Sequence, residues 1–541
     1  MRLIKNTKLR SLLSKGPNYR EANTINYNNC KTSISNGIND FIEKLKEKYK
    51  LSDNSLDNWK NYIEQQVKEK IKFLKSNNYF YKTSKVLNDT EVKSYLQEFK
   101  NNFVIVPVDK AANNFSFICK KFYIYKILDE IGVNNSPNPT YSISKRTKDE
   151  IIYENICFSK SFGLNPDEKC NSLPIMYWTP KMHKNPVGAR FIIASKKCST
   201  KDLSKSVSKA FKLIFQQTQN FYDKSRFYSS FNQFWVIENS KPVLEKIQKI
   251  NDKSNAKIIS TFGFSTLYTK LPHENLINVL KKIIDFAFNG GRKKFIDFSK
   301  STAFWSHKPK HKNFFTKASL KRAVEHLITS CFFEVGNLIL LQTIGIPMGI
   351  DPAPFWANLY LSSYECDFVK DLIKTDIVRA TKFHGIFRFI DDLCALNDGE
   401  EFQKSYMEIY PPELELKLEH IGTHATFLDL DLTLDKGKII SKLYDKRDDF
   451  SFFIVRMPNL HSNIPSSVFY GTVMSEVLRI ARASSLFSDF SEKTLSLMMR
   501  MEKQGGDRRK LVKQIFKAFE NHPFIFKKYN ICSTDISRTF Y

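Results

Sequence analysis

The chain has 541 residues, with 84 Lys and Arg against 56 Asp and Glu, a formal charge of +28 and a pI near 9.5. Its 42% hydrophobic content can bury a sizeable core, which excludes a wholly disordered basic tail. With only 18 Gly and 19 Pro, collagen-like and low-complexity classes are excluded as well.

The length implies three or four structural units of roughly 100–200 residues each. The charge makes a polyanion the default partner, either nucleic acid or an anionic membrane surface. No stretch approaches the ~20 apolar residues of a spanning helix, so no membrane is expected. The start, MRLIKNTKLRSLLSKGPNYRE, lacks the apolar core and small-residue cleavage site of a secretory signal. The nine cysteines form no CxxC pair and no zinc-spaced cluster, which fits reduced intracellular thiols and no structural zinc.

In chain order, residues 1–100 are rich in Lys, Asn and Glu, with helical periodicity around Ile42, Leu45 and Tyr49 and again around Tyr62, Val67 and Ile71. A helical N-terminal unit is expected there. Residues 103–120, NFVIVPVDKAANNFSFICK within its flanks, read as two strands around a turn, a hairpin. The polar run 133–150 reads as a loop. Between 180 and 220 lie nine basic residues and one acid, Asp202. Lys201, Lys205, Lys209 and Lys212 recur at helical spacing and share one face, a stacked positive charge that a phosphate backbone would relieve. A solvated lysine face is the equally plain alternative.

The segment IISTFGFSTLYTKLPHENLINVL (258–280) reads as strand, turn and amphipathic helix. Residues 292–322 carry ten basic residues interleaved with Phe295, Phe298, Phe304, Trp305, Phe314 and Phe315. That mixture suits single-stranded nucleic acid, although most of these aromatics are assigned to a core. From Gln342 to Gly349 a glycine-bearing loop precedes a helix over Pro352–Tyr360, and glycines there permit close backbone approach to a ligand. Two β-rich arms meet at Asp391 and Asp392, placing adjacent carboxylates at a hairpin tip. Such a pair either neutralises itself on a hard divalent cation such as Mg²⁺ or is an ordinary surface turn. The last 70 residues read as mostly helical.

Taken together, these segments resemble the palm of a reverse transcriptase, with motif A near 261–275, motif B at 342–360, motif C at 389–392 and motifs D and E across 413–458. The resemblance narrows to Penelope-like retroelements, relatives of telomerase reverse transcriptase. It is carried by LLSKGPNYREANTINYNNC (12–30), PVDKAANNFSFICKKFYI (107–124), YWTPKMHKNPVGARFIIAS (177–195), STLYTKLPH (265–273), IPMGIDPAPFWANLYL (346–361), FIDDL (389–393), FLDLDL (427–432), KLYDKRDDFSFFIVRMPNLHSNIP (442–465) and KQGGDRR (503–509), in family order over most of the chain.

The resemblance implies an α+β right-hand polymerase fold: a helical N-terminal region (1–100), fingers (101–240), a palm with an antiparallel sheet (241–465) and a helical thumb (466–541). It implies RNA-templated DNA synthesis by two-metal phosphoryl transfer on Mg²⁺ or Mn²⁺, with an RNA template, a DNA primer and deoxynucleoside triphosphates as partners, and a nuclear location. Asp391 and Asp392 match the motif C metal ligands. Tyr268 matches the steric gate against a ribose 2′-hydroxyl, and Lys181, Lys184 and Arg190 match a triphosphate clamp. Gln342, Pro347, Met348 and Gly349 would line the nucleotide pocket, the Phe264 backbone would offer a carbonyl to metal, and a proton donor to pyrophosphate is sought near Lys417 or His420.

Two departures stand out. Motif A in this family carries an Asp where this chain has Gly263, and neither Glu274 nor Asp297 is expected to replace it. A neutral carbonyl cannot replace that charge, and the loss is worth several kcal/mol, on the order of a thousandfold in rate. Polymerase activity is therefore expected to be absent or very low, and the alternative is a non-catalytic RNA- or DNA-binding protein that retains the fold. The second departure is that no GIY-YIG endonuclease motif, which some family members append, is recognised.

Overall fold

The computed structural model describes residues 4–21, 27–49, 52–76, 87–133, 140–165, 170–265, 267–289, 294–299, 302–347 and 349–541. The N-terminal region is helical: α1 (Thr7–Ser14), α2 (Tyr27–Lys48), α3 (Asp53–Ser76) and α4 (Asp89–Asn102). α4 begins where its sequence says it should, because Asn88 and Glu91 cap each other's backbone N–H groups.

The expected hairpin follows as β1 (Phe103–Val108) and β2 (Ala111–Cys119), turning at Asp109 and at Lys110, whose φ is 61°. Next come α5 (Lys120–Glu130), β3 (Tyr141–Ile143), α6 (Lys148–Lys160), β4 (Ile175–Lys181) and β5 (Gly188–Ala194). The run 133–150 is therefore not all loop. Residues 134–139 lie outside the described residues, but Tyr141–Ile143 pair with a later strand, and α6 starts on a Thr147/Glu150 capping box.

α7 (Lys201–Ser229) and α8 (Lys241–Asn251) lead to β6 (Ile259–Phe264) and α9 (His273–Asn289). A small sheet of β7 (Phe295–Phe298), β8 (Ala303–Ser306) and β9 (Phe314–Thr316) precedes α10 (Lys317–Thr329), β10 (Phe332–Val335) and β11 (Leu338–Gln342). Phe298 and Phe315 are buried here, so part of the aromatic run belongs to the core. α11 (Ala353–Thr375), α12 (Ile377–Thr381), β12 (Ile386–Phe389), β13 (Asp392–Leu396), α13 (Gly399–Ile409) and β14 (Leu416–Gly422) complete the centre. A meander of β15 (His424–Phe427), β16 (Leu430–Asp435) and β17 (Lys438–Leu443) follows. The chain ends in α14 (Ser466–Ala483), α15 (Phe487–Lys503), α16 (Arg508–Asn521), α17 (Pro523–Phe526) and α18 (Ser533–Phe540).

The central sheet has the order β12-β13-β6-β14 and is antiparallel throughout. Strand side chains alternate between faces, and here both faces are covered. Phe262, Phe264, Leu393 and Ala395 enter one core, packed against α7, α9, α10 and α11. Ile259, Cys394 and Leu396 enter another, shared with the β15–β17 meander and the C-terminal helices. Gly263 and Asp392 have the parity of this second face. A five-stranded sheet, β3-β11-β10-β4-β5, lies alongside and is antiparallel except between β10 and β4. Among the described residues, no helix is long and apolar enough to cross a membrane.

One buried ion pair binds the centre together. Arg388 and Glu365 are both 0% exposed, and all five guanidinium N–H groups of Arg388 find acceptors. Nε and Nη2 donate to Glu365, Nη1 to Asn358 Oδ1 and the Ile390 carbonyl, and Nη2 also to the Asn358 carbonyl. The Tyr410 hydroxyl donates to Glu365 at 2.8 Å. Arg388→Met, which strands the buried Glu365 charge, should destabilise the fold by about 3–5 kcal/mol in chemical denaturation. Adding Glu365→Leu should recover a large part of that loss.

Candidate active site

The β12–β13 hairpin turns at Ile390 and Asp391, with Phe389 opposite Asp392 and Ile390 held at φ 55°. Asp391 sits in the turn itself, whereas Asp392 is the first residue of β13. The Phe264 N–H donates to the Asp391 carbonyl at 2.9 Å, which ties the tip to β6. Asp392 lies directly across from Gly263, and Gly263 from Lys417 on β14. Asp391, Asp392 and Gly263 thus meet at the end of the sheet.

Burial, together with the adjacent Asp391 charge, pushes the Asp392 carboxyl up to about 6; Glu419 adds to the rise, while Lys446 and Lys110 oppose it. That uncompensated negative charge is what a hard divalent cation would relieve, so the chemistry of the donors fits Mg²⁺ or Mn²⁺. The set is nevertheless short. Among the described residues, no three His, Cys, Asp or Glu side chains are grouped closely enough to hold a metal ion. Asp297 is committed elsewhere: fully buried, it accepts from the Ser306 hydroxyl and the Lys310 and His311 N–H groups.

The β1–β2 hairpin and strands β4 and β5 bring a group of cations towards these acids. Lys181 ends β4, Lys184 follows in the turn, and Arg190 on β5 pairs across the ladder with Thr179. The Arg190 guanidinium lies 3.1 Å from Asp109 Oδ1 at the tip of the β1–β2 hairpin. The other carboxylate oxygen of Asp109 is buried with no hydrogen-bond partner. Burial, and after it Lys446, hold the Lys110 ammonium below its ordinary value; burial and Lys184 do the same for Lys181. Tyr268 faces both groups, since burial and the Asp391 charge push its hydroxyl up to about 12 while Arg190 opposes the rise.

Asp109, Lys110 and Lys446 were not among the residues expected from sequence. The Val-Asp-Lys-Ala turn between two β-rich runs is the signal that could have found the first two.

The loop before α11 is clamped by its glycines. Gly345 has φ 91°, and a Cβ there would lie 2.2 Å from the Tyr268 carbonyl oxygen. Gly349 has φ 85°, and its Cβ would lie 2.0 Å from the Ile193 carbonyl oxygen. Only glycine fits either approach. Pro347 is buried in this loop, and Met348 lies outside the described residues. Gln342, expected to line the nucleotide pocket, is 1% exposed, and its amide donates to the carbonyls of Ile344 and Ile346. It braces the loop from behind.

The lysine face on α7 is divided. Lys201 donates to Asp351 at 2.9 Å, and Lys209 to the Ser299 carbonyl at 2.7 Å. Only Lys205 and Lys212 of the four are exposed. Half of the helical stripe is thus spent on internal acceptors that lie far away in sequence, which spacing alone cannot show.

The Asp392 shift has a stability consequence with a definite sign. Its folded pKa lies above the unfolded value near 3.8, so its contribution is fully present below that value and is lost as pH rises through about 6. In EDTA, Asp392→Asn should therefore stabilise the protein at pH 8 by up to about 2 kcal/mol. The gain should shrink through pH 6 and vanish near pH 4, as followed by chemical denaturation at each pH.

No family model matches the chain, and no curated protein matches it. Among solved structures, it is similar to telomerase from Candida albicans in complex with a TWJ fragment of telomeric RNA, at 12% identity and a TM-score of 0.50, covering 82% of this chain and 68% of that one. Telomerase from Candida tropicalis with the same kind of RNA fragment aligns at 10% identity and a TM-score of 0.44, over 80% of this chain and 62% of that one. A Sicinivirus RNA-dependent RNA polymerase aligns at 9% identity and a TM-score of 0.35, over 71% and 75%. The chain has an α+β right-hand polymerase fold, with fingers, an antiparallel palm sheet, a helical thumb and a helical N-terminal region.

Proposed function

We propose that this chain is the reverse transcriptase of a Penelope-like retroelement, weakened in catalysis by Gly263. The observation that carries the reading is the register of the palm: Gly263 lies directly across from Asp392, where a motif A carboxylate would complete the site. An RNA template paired to a DNA primer would lie across the palm, and the working location would be nuclear.

Asp391 and Asp392 would hold the metal. Two divalent ions, Mg²⁺ or Mn²⁺, would when bound activate the primer 3′-hydroxyl and stabilise the leaving pyrophosphate. Lys181, Lys184 and Arg190 would orient the triphosphate, with Arg190 kept in position by Asp109. The Tyr268 side chain, whose backbone carbonyl packs against Gly345, would exclude a ribose 2′-hydroxyl from the deoxynucleotide site. Exposed Lys205 and Lys212 would contact the nucleic-acid backbone.

A non-catalytic RNA- or DNA-binding protein on the same fold is the second reading, and Gly263 is the observation that favours it. Primer extension on an RNA template with Mg²⁺ or Mn²⁺ separates the two. Gly263→Asp should raise synthesis on the order of a thousandfold over the unmodified chain. A folded, template-binding Gly263→Asp protein that makes no DNA would leave the binder reading.

A further inference from the structure

The backbone at Gly263 does not require glycine, since its φ lies outside the left-handed region, yet the space beside it is already taken. A Cβ built at Gly263 would lie 3.0 Å from Glu419 Oε1 and 3.5 Å from Glu419 Cδ. The approach originates in β14. Its ladder pairs Lys417 with Gly263 and Leu418 with Phe262, then slips so that His420 pairs with Thr261. Glu419 is the extra residue of this bulge, and a bulge re-aims the side chain it carries.

Glu419 is exposed, and among the described residues no hydrogen bond or ion pair engages its carboxylate. A glutamate set beside a lysine and a histidine in Lys417-Leu418-Glu419-His420 has obvious cations to turn to, yet it leans over Gly263 towards the acid-bearing end of the sheet.

We infer that Glu419 is the third carboxylate of the metal site, delivered from β14 in place of the one absent from β6. The inference rests on the reading that Asp391 and Asp392 hold a divalent cation. Adjacent strands lie about 4.8 Å apart, and the extra methylene of Glu over Asp helps to span that offset. The three carboxylates are not grouped as the side chains now stand, and rotation of this long, exposed side chain would be what brings its oxygens onto an ion shared with Asp392. Each added carboxylate deepens the affinity of an oxygen-ligand site. A side chain at position 263 would press on the Glu419 carboxylate, and that flexible end could swing aside to admit it.

The test is Mn²⁺ binding by the full chain without nucleotide or nucleic acid, read as free Mn²⁺ by electron paramagnetic resonance. Glu419→Gln should weaken binding about tenfold, and adding Gly263→Asp to that variant should restore it. Asp391→Asn should weaken binding in either background. The exposed Glu419 position makes loss of fold avoidable, and an unchanged denaturation midpoint for Glu419→Gln verifies this. Unaltered Mn²⁺ affinity in Glu419→Gln, alongside weakening by Asp391→Asn, overturns the role of Glu419 and leaves the metal site standing. Failure of Gly263→Asp to restore Glu419→Gln would also overturn the replacement. If Asp391→Asn too leaves affinity unaltered, the metal site itself is wrong.

Discussion

A guanidinium sealed from water must find five acceptors inside the protein or pay the full cost of desolvation, and Arg388 finds all of them. Four of the five bonds go to α11, to Asn358 and Glu365, and the fifth goes to the Ile390 carbonyl in the turn before Asp391. The Arg388 backbone is held as well, donating to the Trp235 carbonyl and accepting from the Ile237 N–H. Helix, hairpin and the segment before α8 therefore share one electrostatic knot. The position of Asp391 follows from it: a charge buried in the core fixes the carbonyl one residue before the acid, and the Phe264 N–H fixes the carbonyl of the acid itself.

Above that knot, charge is sorted by element. The palm tip offers Asp391, Asp392 and Glu419, while Lys110, Lys181, Lys184 and Arg190 come from the fingers-side hairpins and Lys446 from beyond the meander. Each set repels itself, and the two partly neutralise one another across the gap, as Lys110 and Lys446 do for Asp392. The overall +28 is not all available to a ligand. Lys201 is neutralised by Asp351, and the Arg388 charge is spent wholly inside the protein. Net charge names a class of partner; only placement says which cations can reach one.

Legibility in the sequence followed the range of the forces involved. The 103–120 hairpin, the FIDDL hairpin and the C-terminal helices depend on local alternation, turn residues and helical periodicity, and each is present. β3 escaped notice because three residues are too short for a pattern and its partner, β11, is nearly 200 residues away. The Gln342 amide turns onto the carbonyls of the loop that follows it, and half of the α7 stripe onto acceptors far away in sequence, and spacing records neither. Glu419 was invisible for a different reason. A one-residue slip in the pairing of β14 aims it, and no composition or spacing records a slip.

The N-terminal stretch before α2 has a temporal meaning. Asn18 donates to Asn113 on β2, and the Arg20 N–H and carbonyl engage the Ser462 hydroxyl, 442 positions away. Asn114 in turn bonds the Phe453 carbonyl and the Val455 N–H. On the ribosome, the first partners of these contacts emerge long before the second, and loop closure over such a span is slow. This clasp therefore closes only after nearly the whole chain has been made. Until then, the edge formed by residues 15–20 and the β1–β2 hairpin must wait open, at the mercy of whatever else could pair with it.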